Sequence, residues 1–142
     1  MQFEDFLNND FERMTVGRSK AHNALVFAFV GDAVFTLYVR NLLANLSTAK
    51  SGVLHTQTSK IVNAGSQSSL LDIITGHLTE EELQIARSAR NIKTHNTAKN
   101  SSAEEYKKST SFEAVLGFLY MTNQKDRLLE ILNIIREHIV KN

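Results

Sequence analysis

Residues 24–39 run almost without a break as apolar side chains, and the one full charge among them is Asp32, in "FVGDAVFTLYVR". No other stretch restricts the fold so strongly. The run must be covered by other elements, and a carboxylate placed inside it is costly to bury without a partner. At 16 residues it is shorter than the roughly 20 that a membrane span needs, and its charge sits near the centre. It therefore reads as a buried core helix, which Asn23 can cap and which extends from about Ala24 to Ala44. Asp32 has a structural explanation, a bond to a neighbouring hydroxyl, amide or arginine, and a chemical one.

The remaining chain points to helices. It contains no proline, shows no clean two-residue alternation, and has no Asn-Gly or Asp-Gly hairpin turn. A second helical stretch, "VLHTQTSKIVNAG", ends near Gly65, and a short one, "SSLLDIIT", precedes Gly76. Thr79 and Glu82 have the spacing of a capping box in front of "EEELQIARSARN". "SFEAVLGFLYMT" and "DRLLEILNIIREHIV" repeat apolar residues at i, i+3, i+4 and i+7. The expectation is an all-α domain covering residues 1–142, a length at which one substantial core can form. Residues 45–51 read as a connection. Residues 91–102, "NIKTHNTAKNSS", read as a long polar loop whose Asn, Thr and Ser compete with helix for their own backbone. The N-terminus carries early acids and no apolar signal core, and the chain has no cysteine. Disulfides and thiolate metal sites are excluded, and a cytoplasmic protein is expected.

Charge is uneven. Residues 87–108 carry Arg87, Arg90, Lys93, Lys99, Lys107 and Lys108 against Glu104 and Glu105, a net +4 in a chain whose total is +1. Such a patch is either a solvated face or a footprint for a polyanion. A second acid, Glu113, also lies in an apolar helix, although Thr110 stands at capping-box spacing before it. Gly31 precedes Asp32 and Gly117 lies one turn after Glu113. Glycine inside a helix costs roughly 1 kcal/mol relative to alanine, so it usually has a packing reason, such as the close approach of two backbones. If the two helices cross at these glycines, the carboxylates converge. Convergent carboxylates in a low dielectric take up a proton or bind a cation, and an all-oxygen donor set favours Mg²⁺ or Mn²⁺. The five histidines have no zinc-site spacing, and neither a nucleophile elbow nor a phosphate loop is present.

These residues resemble a known family. "ALVFAFVGDAVFTLYVR" is similar to the signature Gly-Asp helix of the ribonuclease III catalytic domain, and "STSFEAVLGFLYMTNQKDRLLEIL" to its second acidic helix. The closer resemblance is to the mini-ribonuclease III branch, which has the nuclease domain without a double-stranded-RNA-binding domain. "ARSARNIK" and "EEYKKSTSFEAVLGFLY" look like its basic segment, in the same order, and the chain ends soon after the last helix. The resemblance implies an all-α endonuclease, a homodimer, and Mg²⁺-dependent cleavage of double-stranded RNA to 5′-phosphate and 3′-hydroxyl ends. The implied substrate is the precursor of large-subunit ribosomal RNA, with a ribosomal protein as a conceivable assistant. By position, Asp32 and Glu113 would be the catalytic, metal-binding carboxylates. Arg87, Arg90, Asn91, Lys93 and Lys99 fall in the segment expected to hold RNA. Full-length ribonuclease III carries two further acids where this chain has Ala28 and Thr110, a departure the mini branch shares and one that reduces the protein's own ligands. The apolar surface of the Gly31 helix is a candidate dimer interface. Two rivals stand beside the enzyme: a non-catalytic RNA-binding or ribosome-associated helical module, and an interaction protein whose Asp32 pairs with Arg40 or Arg90.

Overall fold

The apolar run is a helix, and Asn23 caps it: its Oδ1 accepts the Leu25 N–H at 2.7 Å. In the computed structural model, which describes residues 23–92 and 102–141, this helix α1 spans Ala24–Leu46. Five more follow: α2 Ser51–Val62, α3 Ala64–Thr75, α4 Glu80–Asn91, α5 Ala103–Met121 and α6 Lys125–Lys141. No strand occurs among the described residues, so the all-α expectation holds. At 23 residues α1 is longer than the apolar run suggested, long and apolar enough to cross a membrane by length and composition. Here it is a core helix: Phe27, Val34, Phe35 and Val39 are buried in the common core.

The fold is arranged around α5. From Ser109 to Leu119 every residue of this helix is buried except Glu113, because α1, α3 and α4 all pack on it. A helix covered on so many sides is expected to lack a strong polar face. Two edge-to-face ring pairs join it to α1, Phe27 with Phe118 at 5.6 Å between centroids and Phe35 with Phe112 at 4.9 Å. Between these pairs the backbones touch. A Cβ on Gly31 would lie 1.7 Å from the Glu113 carbonyl oxygen, and one on Gly117 would lie 1.8 Å from the Phe27 carbonyl oxygen. The two glycines are a reciprocal crossing, as their positions in the sequence suggested.

The capping box before α4 is present, with the Glu82 N–H donating to Thr79 Oγ1 at 3.2 Å and the Thr79 N–H to Glu82 Oε1 at 2.9 Å. It also has a second use. Glu82 is 2% exposed and receives two bonds from the Arg127 guanidinium, each 2.9 Å, which joins the start of α4 to the start of α6. Arg127 also donates to the His77 carbonyl. These bonds hold the Glu82 carboxyl below its ordinary range despite its burial.

Three boundaries differ from the sequence reading. The second helical stretch does not continue to Gly65. It breaks at Asn63, which is at once the C-cap of α2 and the N-cap of α3, its Oδ1 accepting the Ser66 N–H at 2.8 Å. The short helix expected at residues 68–75 therefore begins earlier, at Ala64. Helix α5 starts at Ala103 behind Ser102, whose Oγ accepts the Glu105 N–H at 3.0 Å. Thr110 is consequently in the helix interior, donating to the Tyr106 carbonyl at 2.9 Å, and it caps nothing. Of the loop expected over residues 91–102, residues 93–101 lie outside the described residues.

Alanine at Gly31 or Gly117 must push two backbones apart, which costs about 3 kcal/mol or more. Either variant should melt at least about 10 °C lower or fail to fold. Gly52→Ala, where nothing lies within 4 Å of the added Cβ, is the control and should melt no lower than the parent. Thermal melts by circular dichroism decide this.

Candidate active site

The crossing of α1 and α5 places Asp32 beside Glu113. Gly31 lies against the Glu113 carbonyl, and Asp32 is the next residue along α1. The Asp32 carboxyl is within hydrogen-bonding reach of the Glu113 carboxyl. The two acids differ in setting. Asp32 is exposed, contrary to the burial that its apolar neighbours suggested, because the side of α1 that carries it is not covered. Glu113 is partly buried at the one opening in the packed stretch of α5. Burial, and then the adjacent Asp32 carboxylate, push the Glu113 carboxyl up to about 9, with the nearby Gln67 amide acting in the opposite direction. At neutral pH the pair therefore retains a proton that Glu113 can donate to Asp32.

Gln67 was missed in the sequence, where the third helix was begun one residue after it. Its signal was legible, since Gln67, Leu70, Leu71 and Ile74 follow the i, i+3, i+4, i+7 pattern of a buried stripe and all four are buried. An amide in an apolar register position is worth noticing. Gln67 is 2% exposed, and its Nε2 finds no hydrogen-bond partner among the described residues. It faces Glu113 without closing a hydrogen bond.

This donor set fits a hard divalent ion. Two carboxyl groups held together around one proton keep a net negative charge, which a cation offsets, and the unpartnered Gln67 N–H beside them is a donor without an acceptor. Among the described residues no group of three or more His, Asp or Glu side chains forms a metal cluster. An ion with few protein ligands, keeping waters and accepting substrate oxygens, suits Mg²⁺ chemistry. Neither rival partner for Asp32 is present: among the described residues Arg90 pairs with Glu104, and no cation pairs with Asp32.

The basic candidates stand apart from the two acids. Arg87, Arg90 and Asn91 occupy the last turns of α4, which Ser111 ties to α5 by donating to the Ala86 carbonyl at 2.7 Å. Arg87 pairs with Glu80 at 2.7 Å, and Arg90 with Glu104 across the start of α5. Lys108, whose positive charge the sequence counted in the same patch, lies 2.6 Å from the Asp72 carboxylate. Lys93 and Lys99 lie outside the described residues.

Comparisons with known proteins converge on one family. Residues 25–124 match the Ribonuclease III domain family. A Mini-ribonuclease 3 from Enterococcus faecalis is 40% identical over 116 residues, covering 80% of this chain and 88% of that protein. A Mini-ribonuclease 3 from Clostridium tetani is 34% identical over 131 residues, covering 92% and 85%. One from Staphylococcus aureus is 39% identical over 116 residues, covering 80% and 87%. A protein of Fusobacterium nucleatum with a known crystal structure superposes with a TM-score of 0.74 at 28% identity, covering 80% of this chain and 92% of the other.

Folding raises the proton affinity of Glu113, so the native state binds that proton more tightly than the unfolded chain. In metal-free buffer Glu113 should therefore cost stability increasingly as pH rises from 4.5 towards about 9. Relative to the parent, Glu113→Gln should gain in melting temperature across that window, and Asp32→Asn should show a smaller gain. Melts in chelator at several pH values read this directly, and equal slopes in all three proteins would contradict it.

Proposed function

Because the chain belongs to the ribonuclease III family and is an endoribonuclease of its mini-ribonuclease branch, we propose that Asp32 and Glu113 form its catalytic centre and hold Mg²⁺ there. The observation that supports this is the meeting of the two acids at the glycine crossing, where burial and the adjacent Asp32 push the Glu113 carboxyl up. Bound Mg²⁺, which Mn²⁺ can replace, supplies positive charge that eases removal of a proton from an attacking water and stabilises the phosphate and the departing 3′ oxygen. Asp32 offers carboxylate oxygens from the open side of the site. Glu113 offers its own from the partly buried side, where the α5 backbone fixes its position. The products carry 5′-phosphate and 3′-hydroxyl ends.

The substrate is double-stranded RNA, read by A-form shape, phosphates and 2′-hydroxyls rather than by base edges. In this reading Arg87, Arg90, Asn91, Lys93 and Lys99 contact its backbone. Arg87 and Arg90 exchange Glu80 and Glu104 for phosphate when RNA binds, so affinity falls with added salt. The physiological RNA is the precursor of large-subunit ribosomal RNA, met in the cytoplasm, with selectivity from RNA shape or an assisting ribosomal protein. Residues 1–142 act as one catalytic domain.

Cutting both strands calls for two sites, which a twofold homodimer supplies. Helix α1 offers the interface. Val26, Phe29, Ala33 and Leu37 form an exposed stripe along it, with Phe29 81% exposed, beside the residue that carries the acid. So much apolar surface on one helix of a single chain favours a covering partner.

Two experiments test the reading. On a long duplex RNA with Mg²⁺, Asp32→Asn and Glu113→Gln should each lose cleavage by about 100-fold or more while remaining folded, since even indirect support of a metal is worth 10–100-fold. Full cleavage by either folded variant removes the assignment, and end analysis of the parent's products checks the polarity of the cut. By light scattering the parent should have the mass of a dimer and Phe29→Asp that of a monomer. A monomeric parent at micromolar concentration would contradict the interface.

A further inference from the structure

Gln67 occupies a place where an apolar side chain would pack without cost. Its stripe-mates Leu70, Leu71 and Ile74 are apolar and buried, and the whole stripe belongs to the face of α3 that lies among α5 and the core. A buried N–H without an acceptor is destabilising, and such groups in native structures call for an explanation. The explanation is on the neighbouring helix. The Gln67 amide lies beside the Glu113 carboxyl. The amide N–H closes no hydrogen bond there. Carboxylates that hold a metal ion are ordinarily fixed by hydrogen bonds to their oxygens, and Gln67 Nε2 is a buried, unpartnered donor beside this one.

We propose that Gln67 is a positioning residue for the metal centre: its side-chain N–H donates to the Glu113 carboxylate and holds it in the orientation that shares the ion with Asp32. Gln67 touches neither RNA nor metal in this role. It acts through Glu113, as hydrogen-bonded supports of metal-ligating carboxylates do. The role rests on the two-carboxylate reading above.

The test uses the intact chain and Gln67→Leu, which keeps the volume and removes the donor, with Gln67→Met as a second apolar replacement. Mn²⁺ alone is titrated and followed by electron paramagnetic resonance, and cleavage of duplex RNA is measured against Mg²⁺ concentration. The expected result is a metal-free melting temperature equal to or above the parent's, with Mn²⁺ affinity lowered by about 10-fold or more. The Mg²⁺ needed for half-maximal kcat should rise in parallel, with KM for RNA unchanged. A folded variant with parental Mn²⁺ affinity and parental Mg²⁺ dependence overturns the proposal. So does failure of both variants to fold, which would make the amide a packing requirement. If the parent itself takes up no Mn²⁺, or takes it up equally well as Asp32→Asn and Glu113→Gln, the two-carboxylate reading fails rather than the role of Gln67 alone.

Discussion

The rest of the molecule depends on a contact between two backbones. Helices α1 and α5 approach until the carbonyls of Phe27 and Glu113 occupy the space that side chains at Gly117 and Gly31 would fill. Larger residues at both crossing points would separate the axes, and the two aromatic pairs that flank the crossing would lose their edge-to-face contact. The same approach brings the residue after Gly31 alongside Glu113. Packing and chemistry therefore share one geometric cause, and a change that loosens the first also spreads the second.

Helix α5 supplies the rigidity. Its middle is enclosed on nearly every side, and Glu113 is the one residue from Ser109 to Leu119 that is not fully buried. Partial burial against this helix, and then the neighbouring Asp32 carboxylate, raise the proton affinity of Glu113. Asp32 sits on the looser, exposed side of the crossing. The pair thus combines a partly buried partner with an accessible one.

Much of this was legible in the residues. The absence of proline, the Thr79–Glu82 capping box and the i, i+3, i+4 patterns pointed to the helical class, and two glycines beside two acids indicated where helices would cross. What local rules missed has identifiable reasons. Thr110 and Glu113 match a capping box by spacing, but Ser102 and Glu105 form the cap eight residues earlier, and packing decides between such competing signals. Asp32 was expected to be buried because its neighbours are apolar, yet a helix can be apolar on a face that its own chain leaves open. The pairing of Arg90 with Glu104 bridges positions that spacing along one helix cannot relate. Gln67 was overlooked because an amide does not register when only apolar residues are counted along a stripe.

The joint at Asn63 has a consequence for how this scaffold can vary. One residue terminates α2 and begins α3, so no slack exists between them. Adding or removing a single residue there would turn everything downstream on α3 by about 100° about the helix axis. Leu70 and Ile74 would swing out of the core, and the amide four positions past the joint would point away from Glu113. Length changes at that corner are therefore forbidden by angular register, even though the corner itself is at the surface.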